Sequence, residues 1–254
     1  MLSFEVISSF LTLTFLEVVL GIDNIIFISI LANRFPEEQR SKLMKTGLFL
    51  AMFVRILLLL GITWLIKMQE PLFVIHSQFF SSEVSLQALI LFGGGIFLLY
   101  KSTKEIFHKT EDISGVETKQ KSDGINKFSK ALIQILLIDV VFSFDSILTA
   151  VGMTNGVDYA LYIMISAIII SIIIMISFAM PISAFINKHL SLQILGLSFL
   201  LLIGFLLISE AAHISDTLIL GKSIGNIPKG YLYFSIAFSL GVEMVNMKIR
   251  SKSK

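Results

Sequence analysis

The chain has 254 residues and no cysteine. That excludes a disulfide framework and any thiolate metal site. Charge is scarce: Asp, Glu, Lys and Arg make up 15%, against about 25% in a soluble domain of ordinary composition. There are only 4 histidines. His76, His108 and His189 fall in connections between apolar runs, and His213 falls at the end of one. With no thiolate and no imidazole inside an apolar run, zinc and copper are disfavoured as bound ions. A basic leader with a small-residue cleavage site is also missing. The first apolar run follows Glu5 and is expected to be a retained span. The net charge of +2 says little, and its distribution along the chain says more; no nucleic-acid partner is expected.

What is present is apolar sequence, at 55% with mean hydropathy +0.87. Several runs approach the length of about 20 residues needed to cross a bilayer. They do not alternate as barrel strands would. The chain is therefore expected to be an all-α polytopic membrane protein. Spans are expected at about residues 8–32, 46–66, 85–100, 130–152, 159–186, 190–208 and 231–247. Gly93, Gly94 and Gly95 lie inside the third span, where they permit close packing or a local break. Pro36, Pro71, Pro181 and Pro228 fall near span ends or in connections.

Basic residues are unevenly distributed. Arg34, Arg40, Lys42 and Lys45 follow the first span; Lys101, Lys104, Lys109, Lys119, Lys121, Lys127 and Lys130 follow the third. Lys188 follows the fifth, and Lys248, Arg250, Lys252 and Lys254 form the tail. The opposite side has only Lys67, Lys222 and Lys229. The positive-inside rule then places the amino terminus outside the plasma membrane and the carboxyl terminus in the cytoplasm. Residues 101–129 are polar and read as a cytoplasmic linker between a first half, 1–100, and a second half, 130–254. Three spans per half reverse the second half in the membrane. A 3+3 inverted-topology repeat followed by a seventh helix is the expected arrangement.

Two short stretches match across those halves. The first runs from Glu17 through Gly21 to Asp23 and Asn24; the second runs from Asp139 through Ser143 to Asp145 and Ser146. A carboxylate in hydrocarbon costs roughly 2.5–3.5 kcal/mol on insertion scales. Four bare ones would oppose insertion by about 10 kcal/mol. They must be protonated, paired or bound to a cation. Each acid lies about ten or about sixteen residues into its span. At roughly 1.5 Å per residue, that is within about 5 Å of the midplane. Antiparallel entry puts Glu17 level with Asp145 and Asp23 level with Asp139, which makes one carboxylate box. Acids six residues apart do not share a helix face. Either each acid faces a different side of the cavity, or the helix unwinds between them, as in transporters that expose backbone oxygens; a local break at Gly21 in the first span is preferred over one at Ser143 in the fourth.

The box, with Asn24, Ser146 and any freed carbonyls, offers oxygen ligands only. Such sets suit magnesium, calcium or manganese. Arg55 in the second span can partner one acid or gate the site, yet one arginine cannot neutralise four carboxylates. Glu243 and Asn246, three apart in the last span, are accessory candidates. Glu210 and His213 read as interfacial. The methionines are scattered and read as core filler.

These motifs resemble the two signatures of the TerC family of integral membrane proteins. The likeness extends to Pro228-Lys-Gly-Tyr-Leu-Tyr-Phe and to Gly241-Val-Glu243-Met-Val-Asn246. The family takes its name from a tellurium-resistance locus, and its members are implicated in manganese export. The resemblance implies a seven-helix bundle and a metal-ion exporter, with Glu17, Asp23, Asp139 and Asp145 as its ion site. It implies no enzyme activity and no prosthetic group; the divalent cation is cargo. A short form without an appended cytoplasmic domain is expected. An intramembrane aspartyl protease is the poorer alternative, since Gly-x-Gly-Asp is absent. A non-transporting membrane scaffold linked to tellurite or metal stress resistance is the other.

Overall fold

Long apolar runs without internal breakers become long helices, and the spans extend further than hydropathy alone marks. The computed structural model describes residues 4–33, 35–77, 79–113, 124–154, 156–225 and 227–252. Side chains of Ile22, Asp23, Thr63, Asp145 and residues 111–113, 124–127 and 251–252 fall outside the description. The helices are α1 (Phe4–Ala32), α2 (Glu37–Leu60), α3 (Ile62–Lys67), α4 (Leu86–Ile113), α5 (Gly124–Met153), α6 (Ala160–Lys188), α7 (Leu190–Ile214) and α8 (Lys229–Lys252). Seven of them, all but α3, are long and apolar enough to cross a membrane. The chain is thus an all-α polytopic membrane protein. Many large apolar side chains point outward, Phe15, Phe53 and Phe178 among them. That is costly in water and suited to lipid.

Two expectations need correction. α1 is continuous through Gly21, with no break. Gly21 serves packing instead: a Cβ there would lie 2.0 Å from the Met175 sulfur. α4 also runs well past Tyr100, as far as Ile113. Helix propagation continues through Lys101–Thr110, where polar side chains cost a helix outside the bilayer little. Most of the remaining linker lies outside the described residues. Pro181 sits inside α6 near its end, as expected.

The chain divides into two compact units. The first contains α1, α2, α5 and α6. α1 packs chiefly on α6, and α2 chiefly on α5. The α1–α6 register is constant: Gly21 with Met175, Ser29 with Ser183 and Asn33 with Asn187 are each 154 residues apart. A constant offset means parallel helices meeting once per turn along an i, i+4 ridge. α2 and α5 are parallel as well, with Gly47 against Ile135 and Arg55 against Asp139. Arg40 closes the α1–α2 corner by donating to the carbonyls of Phe35 (2.7 Å) and Asn33 (3.4 Å). It thereby satisfies acceptors that follow the end of α1. This end of the unit also carries Lys42, Lys45 and Lys188 and is termed the basic end below.

The second unit contains α4, α7 and α8 with a small sheet that the sequence reading missed. Its order is β1 (Pro71–His76), β2 (Phe80–Ser85), β3 (Leu218–Ile219) and β4 (Lys222–Ser223), all antiparallel. The strands are short, and β1 is an apolar run that hydropathy cannot separate from a helix end. Leu220 and Gly221, both at positive φ, form the β3–β4 turn, as a two-residue hairpin of this twist requires. Within this unit α4 and α7 touch backbone to backbone. A Cβ on Gly95 would meet the Gly204 carbonyl oxygen at 2.7 Å, and one on Gly204 would meet the Gly95 oxygen at 3.0 Å. Of the glycine triplet, Gly95 serves close packing, while Gly93 faces open space.

Gly95→Ala should force α4 and α7 apart and cost about 1–3 kcal/mol, the usual range for overpacking. Gly93→Ala, with nothing within 4 Å of its added carbon, should be neutral or slightly stabilising. Thermal unfolding of the two detergent-solubilised variants checks this; equal melting temperatures would remove the contact from the account.

Candidate functional site

The first unit buries charge midway along its four helices. Glu17 on α1, Arg55 on α2 and Asp139 on α5 are all nearly sealed from solvent, Arg55 at 2% exposure. Arg55 bridges the two acids. Its Nη1 pairs with Glu17 Oε2. Its Nη2 donates to Asp139 Oδ1 at 2.9 Å, and its Nε to the same oxygen at 3.2 Å. A guanidinium carries five donors in a planar fork, so one side chain can hold two carboxylates at once.

Asp139 is the most heavily bonded member. Asn24 Nδ2 donates to its Oδ1 at 3.0 Å, and Ser143 Oγ donates to its Oδ2 at 3.2 Å. Ser143 lies one turn along α5 from Asp139, so the helix itself presents the hydroxyl to the acid. Ser146 is buried nearby and donates to the Ser143 carbonyl. Its hydroxyl is thus spent on the backbone, an arrangement common for serine in apolar helices.

Of the residues expected to form the site, Glu17, Asn24, Asp139 and Arg55 come together. Ser146 lies about two turns beyond Asp139 on α5. The side chains of Asp23 and Asp145 lie outside the described residues. Glu243 and Asn246 belong to the second unit, on α8. There the Glu243 carboxyl meets Ser191 and Asn246. Glu210, expected at an interface, faces Lys229 at 3.6 Å. Among the described residues, no three His, Asp or Glu side chains converge closely enough to hold a metal ion.

Sequence reasoning gave Arg55 one acid where it has two. It also read Ser143 only as the counterpart of Gly21. The i, i+4 spacing of Asp139 and Ser143 was the available signal.

Two small cavities flank the cluster, each about large enough for one water molecule. One lies beside Asn24, Ile28, Ala51, Ile135 and Asp139, on the side of the basic end. The other lies beside Glu17, Leu13, Leu59, Ile147 and Ile168, and Glu17 is its one charged wall. The described charges sum to one uncompensated negative charge, since two carboxylates face one guanidinium.

The comparisons with known proteins agree on one family. The model described as the integral membrane protein TerC family matches residues 2–254. A UPF0053 protein of Haemophilus influenzae is 44% identical over 97% of this chain and 95% of its own length. The UPF0053 inner membrane protein YgdQ of Escherichia coli K12 is 42% identical over 95% of this chain and 92% of its own. The UPF0053 protein YegH of the same strain is 42% identical over 93% of this chain but only 41% of its own length. No solved structure matches.

Removing Arg55 alone leaves two carboxylates facing each other in an apolar interior. Arg55→Gln should cost about 3–5 kcal/mol, as breaking buried ion pairs does. Adding Glu17→Gln and Asp139→Asn to it should recover most of that loss. Melting temperatures of the purified single and triple variants decide the matter; a single variant as stable as the parent would show that the cluster is not held by charge.

Proposed function

The chain belongs to the TerC family, and on that premise we propose that it is a membrane transporter that exports a divalent cation, manganese fitting best. One observation carries the reading: a cluster with net negative charge, built of oxygen ligands, lies buried midway along four packed spans. Ionisable groups at that depth are expensive and tend to mark ion pathways. Oxygen ligands without thiolate or imidazole favour a hard ion. Asp23 and Asp145, each six residues along its helix from Glu17 and Asp139, would complete the carboxylate set. The membrane orientation that goes with this reading has the amino terminus outside and the basic end in the cytoplasm.

A second reading has an observation in its favour. Arg55 already satisfies both described acids, so the cluster also suits a non-transporting scaffold pinned by an internal ion pair. Flux separates the two readings.

Charge balance suggests the coupling. Four acids and Arg55 together carry three negative charges when all are ionised. A dry interior tolerates little net charge. Without metal, neutrality needs about three protons; with one divalent ion it needs about one. Metal and protons would then exchange at about two protons per ion, and the cycle would be electroneutral.

Purified protein in liposomes should carry manganese down a gradient while protons move the other way, with no dependence on membrane voltage. Asp145→Asn, which keeps size and removes charge, should abolish the flux and leave the melting temperature nearly unchanged. Cells lacking the protein should accumulate manganese under manganese stress, and zinc or copper should not reproduce the effect. Absence of flux from well-folded protein, with unchanged cell manganese, would favour the scaffold.

A further inference from the structure

A second polar series, which the cluster does not use, lies along the α1–α6 contact. Ser29 Oγ donates to Ser183 Oγ at 2.8 Å. One turn on, Asn33 Nδ2 donates to Asn187 Oδ1. Asn187 Nδ2 also donates to Ser183 Oγ at 3.4 Å. The Asn33 Oδ1 atom is buried with no hydrogen-bond partner. Ser29 and Ser183 are themselves nearly inaccessible.

These rungs begin where the charged cluster stops. From Asn24 to Ser29 is about 7.5 Å along α1, and from Ser29 to Asn33 about 6 Å. The small cavity beside Asn24 and Asp139 opens on the same side. Its other walls, such as Leu48 and Ile135, are apolar. The α1–α6 contact therefore supplies a line of oxygen atoms from Asp139 toward the basic end.

Interhelical hydrogen bonds also hold spans together. Two features go beyond what that alone requires. One is the buried acceptor left without a partner at Asn33. The other is Pro181, two residues before Ser183 and inside α6. Proline cannot donate to the carbonyl one turn earlier, and its ring crowds that carbonyl. It is a hinge position placed so that the last turns of α6 can swing away from α1.

We propose that the α1–α6 seam is the passage by which a divalent cation moves between the mid-membrane cluster and the basic end. Ser29, Asn33, Ser183 and Asn187 are its transient ligands. This rests on the transporter reading above. In this structure the four groups bond one another and the passage is shut. When α6 bends at Pro181 the rungs part, freeing two hydroxyl and two amide oxygens. These are neutral hard ligands, suited to a partly hydrated divalent ion. They bind weakly enough to release it, as conduction requires.

The natural absence of cysteine makes the test direct. The 2.8 Å contact between the Ser29 and Ser183 hydroxyls brings their Cβ atoms near the roughly 3.5–4.5 Å span of a disulfide. Full-length Ser29→Cys/Ser183→Cys protein in liposomes is assayed for manganese(II) flux, oxidised and then reduced. Oxidation should lower flux at least tenfold, and reduction should restore it in the same vesicles, which controls for folding. A fully cross-linked protein that carries manganese at the reduced rate overturns the proposal. A single Asn33→Cys variant is treated in parallel with a membrane-impermeant maleimide applied at the basic end. Labelling is expected; a thiol that never reacts in folded protein also overturns the proposal. Wild-type protein that carries no manganese would sink the cargo assignment, while the maleimide result would still report whether the seam opens.

Discussion

One guanidinium holding two carboxylates inside an apolar bundle constrains everything else in the first unit. Neither acid tolerates that interior alone, and a lone arginine would be worse placed still. The three helices that carry them must therefore approach within a side-chain length at one depth. Asn24 donates to the same Asp139 Oδ1 that accepts from Arg55, and Ser143 donates to Oδ2. The desolvation cost of the three ions makes the cluster a poor source of net stability. What it supplies is register. A slide of α2 along α5 by a single turn would carry Arg55 about 5.4 Å from Asp139 and strand all three charges.

Small residues let that approach happen. Gly21 gives Met175 room against the α1 backbone, and Gly47 does the same for Ile135 beside α2. In lipid there is no hydrophobic gain in bringing apolar helices together, so close contact and polar bonds decide the pairing. The pairings, α1 with α6 and α2 with α5, are interchangeable if α1 is swapped with α5 and α2 with α6. α4 with α7 maps onto itself under the same kind of exchange. A duplicated, inverted unit would produce such a regularity, and matching acid motifs at Glu17–Asp23 and Asp139–Asp145 are what it would leave in the sequence.

The spans and the close packing at Gly95 were legible in the sequence because each is a local pattern. Hydropathy runs mark lipid-facing helices, and a carboxylate inside one is conspicuous. The break expected at Gly21 was not there, because glycine permits both unwinding and close approach, and only the presence of Met175 opposite it decides between them. The second acid on Arg55 was hidden for a similar reason: a long side chain reaches partners that residue spacing on its own helix cannot identify. The sheet in the second unit was missed because Pro71–His76 is apolar, short and adjacent to a helix, which gives strand and span-end readings equal claim. The Ser29–Ser183 and Asn33–Asn187 rungs had a faint signal, matching polar residues four apart on two spans, but no sequence rule says which spans will meet.

The surroundings of the cluster differ on its two sides, and the difference has a direction. Toward the end opposite the basic residues, Leu13, Leu59, Ile147 and Ile168 close around Glu17 without a polar group among them. None of the described residues lining that cavity other than Glu17 is charged, and Glu17 pairs with Arg55. Toward the basic end, Asn24 and Asp139 face a void, and the serine and asparagine rungs follow about one and a half and two and a half turns on. A water or an ion on that side finds oxygen atoms at successive steps. Among the described residues, hydrocarbon closes the cluster on one side and hydrogen bonds close it on the other. Hydrogen bonds between neutral groups exchange readily for bonds to water, whereas packed hydrocarbon gains nothing from wetting. In the state seen here, the side toward the basic end is the one that opens at lower cost.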